Sequence, residues 1–394
     1  MRHVPDEERR ARLAVRHALV TPVDTVEAAT RAMTVLHATE AATVYLSCWA
    51  RVTSVQVADV DRALYAERTL VKQLAMRRTL FVVPRELLPA VWGSASARVA
   101  GIERARMARD VVKAGIAADG DEWLDRARAA VLAAVAAAPD GLTAIELRRA
   151  VPMVDVAVGA GVWSSSRVLT HLGATGDIVR AVNAGRWAVN RPRWAPMREW
   201  LGDGPAALDP AEGYRQIVRR WLFSFGPGTE DDLVWWLGAT KAVVRAALAA
   251  LDAVPVSLDG GGTGFLLPDD LEPGPDPGPW VALLPVLDPT IMGWQGRDFY
   301  LGPHRARLFD TRGNAGTTAW VDGRAVGCWV QDEAGVVRVH LLERVPARAR
   351  RALDAEAARL TDWLGRLRIG SVYSSPAMTD SGRGSSATGP TVPA

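Results

Sequence analysis

The sequence has 394 residues, of which 49% are hydrophobic and 23% are charged, a balance typical of a globular protein with two or three domains. Its two cysteines, Cys48 and Cys328, are too few for a disulfide scaffold, a zinc ribbon or an iron–sulfur cluster held by protein thiolates alone. It contains neither a run of about 18 uncharged apolar residues nor a secretory signal at its start, so we expect a cytoplasmic protein.

The positive charge is unevenly distributed along the chain. Residues 1–115 carry 18 basic and 12 acidic side chains, whereas residues 201–281 carry 5 basic and 12 acidic ones. Residues 142–200 and 282–394 are also net basic. A polyanion would therefore bind the basic segments and avoid residues 201–281. Almost all of the basic residues are arginines. A GC-rich codon bias produces the same excess, so the number of arginines alone does not indicate an anionic ligand.

The first predicted unit, residues 1–118, begins with helical segments. The pattern predicts helices over Val26–Leu36, Val57–Glu67 and Leu70–Ala75, then a strand over Arg77–Val83. A further helix is predicted to begin within Pro84–Gly93.

The second predicted unit, residues 119–201, has the clearest pattern. A helix over Asp125–Ala138 precedes Leu142–Leu147, where Thr143 and Glu146 fit the capping box of a second helix. Ser164 to Ser166 are predicted to cap a third helix, and Asp177–Val182 with Arg186–Asn190 to form a hairpin. Three helices followed by a hairpin make a winged helix, whose third helix normally enters the DNA major groove.

The third predicted unit, residues 202–272, repeats this order. Its helices are predicted over Gln216–Phe223, Glu230–Leu237 and Thr240–Leu251, and its ribbon from Pro255–Leu258 and Gly264–Leu267. The Pro/Gly-rich segment Glu272–Pro279 then predicts an extended linker.

Residues 273–369 differ from the rest because alternating apolar residues predict strands. The predicted strands are Val281–Leu284, Phe299–Leu301, Thr317–Val321, Arg324–Trp329 and Val336–Leu342. A helix over Pro346–Arg368 closes this domain, and residues 370–394, rich in Ser, Gly, Thr and Pro, are predicted to be disordered. The fold class is therefore α+β, with three tandem winged-helix units and a small antiparallel β-barrel-like domain.

Four stretches of sequence together resemble one family. They are Val35–Thr39, Leu74–Leu80, Leu284–Pro289 with Gly293 and Arg297, and Val321–Arg324 with Gly327. On these residues, over roughly positions 10–368, the chain resembles the AlkZ-like winged-helix DNA glycosylases. The resemblance implies a monomer that binds duplex DNA on a basic concave surface, with no metal, no cofactor and no membrane. It also implies removal of bulky N7- or N3-alkylated purines at an open site, instead of the deep pocket that most glycosylases use.

The family's catalytic Gln-x-Gln or Gln-x-Asp motif aligns with His37 and Thr39, so both functional positions differ here. An imidazole can orient a water and accept its proton, and a threonine hydroxyl can hold the same water. The resemblance thus implies His37 and Thr39 as the catalytic pair. The alternative is that His37 is a buried histidine bonded to a carbonyl group.

Several side chains are candidates for contact with DNA. Arg77 and Arg78 flank a predicted strand, and one of them is expected to reach a phosphate; the alternative is a solvated charge. The start of the third helix of the second unit and the hairpins supply the other candidates, which are Ser164, Ser165, Arg167, His171, Arg186, Arg312 and Asn314. The serines have an alternative role as helix caps.

Asp288 and Arg297 are the remaining candidates, in a supporting role near the lesion. Asp288 precedes a proline, so its carboxylate is expected to cap the following turn or to pair with Arg297.

Two functions remain open at this point. The first is a monofunctional DNA glycosylase, with self-resistance to a DNA-alkylating natural product as one biological setting. The second is a non-catalytic winged-helix DNA-binding protein, a damage sensor or regulator, favoured by the loss of both glutamines. An enzyme acting on small molecules is disfavoured because the sequence has no Gly-rich nucleotide loop, nucleophile elbow or metal-ligand cluster.

Overall fold

The protein has a mixed α and β structure, seen in a computed structural model that describes residues 1–159, 161–202, 204, 206–365 and 367–385. Its α-helices, in chain order, are α1 (Asp6–Arg16), α2 (Val26–Ala32), α3 (Ala41–Trp49), α4 (Val57–Asp61), α5 (Leu88–Val91), α6 (Ala97–Lys113), α7 (Gly120–Ala136), α8 (Ala144–Ala150), α9 (Ser164–Thr175), α10 (Met197–Leu201), α11 (Pro210–Phe225), α12 (Glu230–Leu237), α13 (Lys241–Ala249), α14 (Pro289–Met292), α15 (Asp298–Leu301), α16 (Arg305–Leu308), α17 (Ala347–Leu364) and α18 (Pro376–Ser385). None of the described helices is both long and apolar enough to cross a membrane.

The strands are short and belong to several small sheets and hairpins. They are β1 (His3–Val4), β2 (Leu36–His37), β3 (Leu70–Ala75), β4 (Thr79–Pro84), β5 (Ala157–Gly159), β6 (Val162–Trp163), β7 (Ile178–Asn183), β8 (Pro192–Pro196), β9 (Gly228–Thr229), β10 (Val254–Leu258), β11 (Thr263–Leu266), β12 (Val281–Leu284), β13 (Thr318–Val321), β14 (Arg324–Gln331) and β15 (Val337–Leu341).

The chain divides into two compact units, each built from more than one segment. Unit 1 comprises residues 1–56, 221–233 and 252–394, and unit 2 comprises residues 57–220 and 234–251. The predicted boundaries at residues 118, 201, 272 and 369 describe a finer division of the chain, and they stay a prediction.

Unit 1 contains two four-stranded sheets. One has the strand order β1-β10-β11-β9, and the other is the antiparallel meander β12-β13-β14-β15. The described strands form no closed sheet, so the predicted barrel-like closure is not observed. Beside the meander lies a cluster of aromatic rings, in which Trp294 contacts Phe225 and Phe299, and Tyr300 contacts Trp320, with ring centroids 5.1–5.3 Å apart.

The core of unit 2 is built by α6, α7, α8 and α9 with the hairpin β7–β8. Leu124, Val131, Leu147, Val168 and Leu172 are fully buried in it. The predicted capping box is confirmed, because the Thr143 hydroxyl accepts from the Glu146 amide and the Glu146 carboxylate accepts from the Thr143 amide. The helix–helix–helix–hairpin order is thus present in this part of the chain.

Several predicted elements differ from the structure. Leu70–Ala75 is a strand, β3, which pairs in register with β4 from Leu70 opposite Pro84 to Ala75 opposite Thr79. Phe299–Leu301 is helical, with all three side chains buried. The strand prediction was wrong because an apolar pattern over three residues does not distinguish a strand from a helical turn. Residues 376–385, inside the segment predicted to be disordered, form α18; residues 386–394 lie outside the described residues.

The second hairpin strand also differs, because β8 begins at Pro192, after the predicted strand Arg186–Asn190. Those residues form a loop that the Asn183 side chain organises. Its amide nitrogen donates to the carbonyl groups of Arg186 and Val189, at 3.1 and 2.7 Å, and its oxygen accepts from the Arg191 amide at 2.8 Å. An asparagine that satisfies three backbone groups replaces the tight turn that the sequence predicted.

Candidate functional site

His37 and Thr39 lie at the start of α3 in unit 1. His37 ends the short strand β2, and Glu40 occupies the N-cap position of α3. The His37 side chain is only 4% exposed, whereas Thr39 is half-buried. Thr39 is therefore the more accessible member of the pair, and any role of His37 must be exerted from below the surface.

Helix α3 is held rigidly, because all nine of its side chains are buried. Just past its C-terminus, the Arg51 guanidinium forms a bidentate ion pair with Asp288, with N–O distances of 2.7 and 2.9 Å, and both side chains are fully buried. The Ser47 hydroxyl also donates to Asp288, and the Thr43 hydroxyl donates to the carbonyl group of Val286. The motif around Asp288 thus fixes the helix that follows the His37–Thr39 segment.

One of the two roles predicted for the Asp288 carboxylate is confirmed and the other is wrong. It caps the following turn by accepting from the Thr290 amide at 2.9 Å. Its ionic partner is Arg51 and not Arg297, which is buried against the ring of Phe309. Burial alone would raise the pKa of Asp288, but Arg51 and the hydrogen bonds from Ser47 and Thr290 lower it below the ordinary aspartate value. The enclosed carboxylate thus contributes to holding α3 in place.

The same buried network extends to His17. Arg51 donates to the Thr290 hydroxyl at 2.7 Å, and that hydroxyl lies 3.0 Å from His17 Nδ1. The other ring nitrogen lies 3.1 Å from the carbonyl oxygen of Ser224, which can only accept, so Nε2 carries the proton and Nδ1 accepts from Thr290. Burial, aided by Arg51, lowers the pKa of His17 to about 3, so the imidazole is neutral at ordinary pH.

The loop that contains Arg312 and Asn314 also belongs to unit 1. Asp310 organises it by accepting from the amides of Arg312 and Asn314 and from the Asn314 side chain, at 2.8–2.9 Å. Asn314 is therefore occupied in holding the loop, and the exposed Arg312 is its residue available to a phosphate.

In unit 2, the turn between β3 and β4 places two arginines differently. Arg77 and Arg78 both have left-handed backbone conformations, with φ of 54° and 59°, which is uncommon for residues other than glycine. Arg77 stacks on the ring of Trp235 at 4.0 Å and lies against Gly238. Arg78 is 47% exposed and lies 3.4 Å from Glu103, so it is the one available to a ligand.

Glu103 brings Arg78 close to Arg167, because Arg167 also contacts it, at 3.5 Å. The turn and the predicted third helix of the second unit therefore supply cations to one region of unit 2. The structure adds the exposed side of α6, where Arg98, Arg106, Arg109 and Lys113 lie at helical spacing. The sequence analysis missed this row, although the spacing of the four cations was visible in the sequence.

The predicted DNA contacts through Ser164, Ser165 and His171 stay a prediction, although the structure gives these side chains little exposure. All three side chains are buried, and the Ser164 hydroxyl donates to the carbonyl group of Val154. The N-cap of α9 is Trp163, without a side-chain cap, so the serines do not act as predicted caps either. Arg186, in contrast, is exposed in the loop between β7 and β8.

Comparison with known proteins now decides the family. The family model described as "DNA glycosylase AlkZ-like" matches residues 30–363, which is most of the chain. The chain belongs to the AlkZ-like DNA glycosylase family. Among curated protein sequences no match is found. Among solved structures, the Streptomyces sahachiroi DNA glycosylase AlkZ is similar in fold, with a TM-score of 0.74 and 19% identity, covering 94% of this chain and 99% of that one.

Some of the described features lie inside the range that the family model matches, and others lie outside it. The His37–Thr39 segment, the Arg51–Asp288 pair and the arginines of unit 2 lie inside the matched range. Helix α1 precedes this range, and the segment from Leu367 to α18 follows it.

Proposed function

We propose that the protein is a monofunctional DNA glycosylase that hydrolyses the N-glycosidic bond of bulky N7- or N3-alkylated purines in duplex DNA. The observation that carries this proposal is the AlkZ-like family match, whose range includes His37 and Thr39. The arrangement at the start of α3 supports it, because a half-buried hydroxyl and a buried imidazole lie two positions apart on a rigidly held segment.

Little chemistry is required of such a site. Alkylation at N7 makes the purine a cation, so its bond to the sugar is already weakened. As the bond breaks, its electron pair goes to the purine and neutralises it, while a water attacks the oxocarbenium-like sugar carbon. Thr39 holds this water and the His37 imidazole accepts its proton, which gives an abasic site, a free alkylpurine and one proton.

Each unit carries arginines that could bind DNA phosphates. In unit 2 these are Arg78, Arg186 and the exposed row on α6, together with Arg167, whose side chain is mostly buried beside Glu103. In unit 1 the candidate is the exposed Arg312. Phosphate contacts of this kind orient the DNA without reading its sequence. Such contacts suit an enzyme whose signal is the damage and not the bases around it.

The proposed biological setting is self-resistance to a DNA-alkylating natural product, because bulky adducts of this kind are what such compounds leave on purines. The competing function is a DNA-binding protein without catalysis, a damage sensor or regulator. Two observations favour it: both family glutamines are replaced, and His37 is nearly inaccessible. The two functions differ in one product, the free base.

The decisive experiment uses a labelled duplex that contains one bulky N7-alkylguanine. The wild-type protein should release the free base and leave an abasic site, detected by alkaline cleavage on a gel and by chromatography of the base. His37→Ala should slow single-turnover release by about 100-fold or more, the usual contribution of a positioned acid–base group. Thr39→Ala should slow it less, because the hydroxyl only positions the water.

His3→Ala is the matched control, because His3 is an exposed histidine of unit 1 that pairs with Asp259 away from α3. It should release base at the wild-type rate. A wild-type protein that binds the duplex but frees no base would establish the sensor instead. An unchanged rate in His37→Ala would remove the imidazole from the mechanism.

A further inference from the structure

The segment after α17 crosses unit 1 as a strap. We define the strap as residues 367–375; it lies beyond the family-matched range, which ends at residue 363. Its beginning is fixed to the β-meander by one side chain, Gln331. The Gln331 amide donates to the carbonyl group of Leu367 at 3.0 Å, and its oxygen accepts from the Ile369 amide at 2.8 Å.

The far end of the strap is fixed by α18. Ser375 and Ala377 are buried, and the Met378 sulfur accepts from the Thr317 amide at 3.3 Å. Gly316, which ends the Asp310 loop, packs so closely that a Cβ there would lie 2.6 Å from the Ser375 hydroxyl. The strap is therefore held at both ends, and its second end touches the loop that carries Arg312.

Between its two ends, the strap is bound to the residue next to Thr39. One oxygen of the Glu40 carboxylate accepts from the Ser371 hydroxyl at 3.3 Å and from the Val372 amide at 3.1 Å. The Ser371 hydroxyl in turn accepts from the Tyr373 amide at 2.9 Å. A cavity of about 240 Å³ lies under the strap, lined by Glu40, Thr43, Trp329 and Met378 among others. Glu40 thus joins the start of α3 to the strap.

The middle of the strap presents apolar and aromatic side chains. Val372 is 83% exposed, and Tyr373 is half-buried. Burial raises the pKa of the Tyr373 phenol; the Glu40 and Asp310 carboxylates add to the shift and the Arg312 guanidinium opposes it. The hydrogen bonds to Glu40 place the strap beside the start of α3, and the contact of Ser375 with Gly316 places its second end beside the loop that carries Arg312. At this edge of unit 1 the strap presents an aromatic ring and an exposed isopropyl group.

We propose that the strap is a lesion-recognition element of this chain, in which Tyr373 stacks on the damaged nucleotide and Val372 covers the apolar part of its adduct. The proposal rests on the function proposed above. It names the substrate class as adducts with an extended apolar or aromatic surface, because that surface is what the two side chains can cover. Glu40 is a positioning residue that holds the strap beside Thr39, and Arg312 is placed for an adjacent phosphate.

The test compares two affinities for each variant, one for a duplex with a single bulky N7-alkylguanine and one for the same duplex undamaged. Tyr373→Ala should weaken binding of the damaged duplex by about tenfold or more, the scale of one lost base–aromatic stack, and leave the undamaged duplex unaffected. Tyr373→Phe keeps the ring and should restore the preference. Phe223→Ala is the control, because Phe223 is an aromatic residue of unit 1 that is 58% exposed on α11.

Glu40 is tested by a matched pair of substitutions. Glu40→Gln keeps an oxygen that can accept from Ser371 and Val372, so it should preserve discrimination between the two duplexes. Glu40→Ala removes the acceptor and should weaken binding of the damaged duplex as much as Tyr373→Ala does. The double variant should bind it no more weakly than either single variant. Unfolding midpoints like that of the wild type show that the variants fold.

The outcomes separate the two proposals. If the wild type releases base and Tyr373→Ala still prefers the damaged duplex by the wild-type factor, the strap proposal is overturned and the glycosylase stands. If Glu40→Gln loses as much of the preference for the damaged duplex as Glu40→Ala does, the carboxylate acts by its charge and the positioning role is wrong. If the wild type neither distinguishes the duplexes nor frees base, both proposals are overturned together.

Discussion

Arg51 and Asp288 are the residues on which the placement of α3 depends most. Both are fully buried, and each satisfies the charge of the other through two hydrogen bonds. Removing one of them leaves the other as an unpaired charge in an apolar interior. That unpaired charge lowers the free energy of unfolding by far more than the intact pair contributes to it. The pair makes the start of α3 intolerant of substitution at either partner.

Arg51→Ala should lower the free energy of unfolding by about 3–5 kcal/mol, the usual cost of leaving one buried charge without its partner. Urea unfolding followed by circular dichroism measures this. Replacing both residues by apolar ones of similar volume should cost much less than Arg51→Ala alone. An Arg51→Ala protein as stable as the wild type would show that the interior admits water to Asp288.

His17 makes stability depend on pH. The unfolded chain binds a proton to this residue near pH 6.5, whereas the folded chain does not until about pH 3. Stability from His17 is therefore complete above pH 6.5 and is lost as the pH falls toward 3, by about 2 kcal/mol at pH 5. Asp288 does not interfere at pH 5, because the stability from its lowered pKa is lost only below about pH 3.9.

The measurement is urea unfolding at pH 7 and pH 5, for the wild type and for His17→Gln. From pH 7 to pH 5, the free energy of unfolding should fall by about 2 kcal/mol more in the wild type than in the variant, because glutamine does not titrate. Equal losses in both proteins would mean that His17 binds its proton in the folded state and that the Thr290 hydroxyl reorients to accept it.

At the scale of elements, the loop between β7 and β8 is held by Asn183 and leaves Arg186 exposed. Asn183 bonds the loop backbone from within, so the arginine needs no partner to define the loop. In a winged helix this element lies along the DNA backbone. Such a loop contributes charge more than sequence specificity.

Arg186→Ala should weaken duplex binding equally for damaged and undamaged DNA and reduce the slope of log K against log salt by about 0.9, one phosphate contact. Fluorescence anisotropy across a salt titration measures the slope. Arg126→Ala is the matched control, since Arg126 is an exposed arginine of α7 that pairs with Glu122 on its own helix. Identical slopes for Arg186→Ala and the wild type would place this loop away from the DNA.

The elements also show which local signals the sequence carries. The capping box at Thr143 and Glu146 is a backbone-specific pattern, so α8 was predicted correctly from two residues. The hairpin β3–β4 has no such signal, because its turn uses Arg77 and Arg78 in conformations that usually require glycine or asparagine. Packing against Trp235 and Glu103 stabilises that turn, and those partners are distant in sequence.

At the scale of the whole molecule, segments far apart in sequence complete each compact unit. Helix α1 precedes the family-matched range but is integral to unit 1: Arg12 is buried, pairs with Glu8 and Asp270, and donates to the carbonyl group of Glu272. Such a chain cannot form unit 1 until its first and last thirds have met. The N-terminal segment is therefore a structural part of this protein.

Arg12→Ala should destabilise unit 1, because Glu8 and Asp270 would then lose a buried partner. Hydrogen exchange measured by mass spectrometry should show lost protection in peptides from α1 and residues 265–272, and less change in peptides from α7 to α9. Arg10→Ala is the control, since Arg10 is a neighbour on α1 whose guanidinium donates to the carbonyl group of Phe299. Equal protection in both variants would mean that Arg12 does not stabilise the packing of α1 in unit 1.

The sequence carried different amounts of information about fold and site. Helices with strong periodicity, such as α12 and α13, were predicted at nearly their observed bounds, and the capping box located the start of α8. Pairing between Arg51 and Asp288, which are 237 residues apart, leaves no local pattern, and neither does the contact between Glu40 and Ser371. The polar composition of residues 370–394 predicted disorder, because the segment contains few of the large apolar residues that dock a helix. In α18 the docking contacts are made by the buried Ala377 and by Met378, whose sulfur accepts from the Thr317 amide.

The strap is bonded to the start of α3 through one carboxylate, that of Glu40. Its exposed residues can therefore be exchanged without disturbing the Arg51–Asp288 ion pair that holds α3. If the strap recognises adducts as proposed, a protein engineer would begin there to redirect the enzyme toward a different genotoxin.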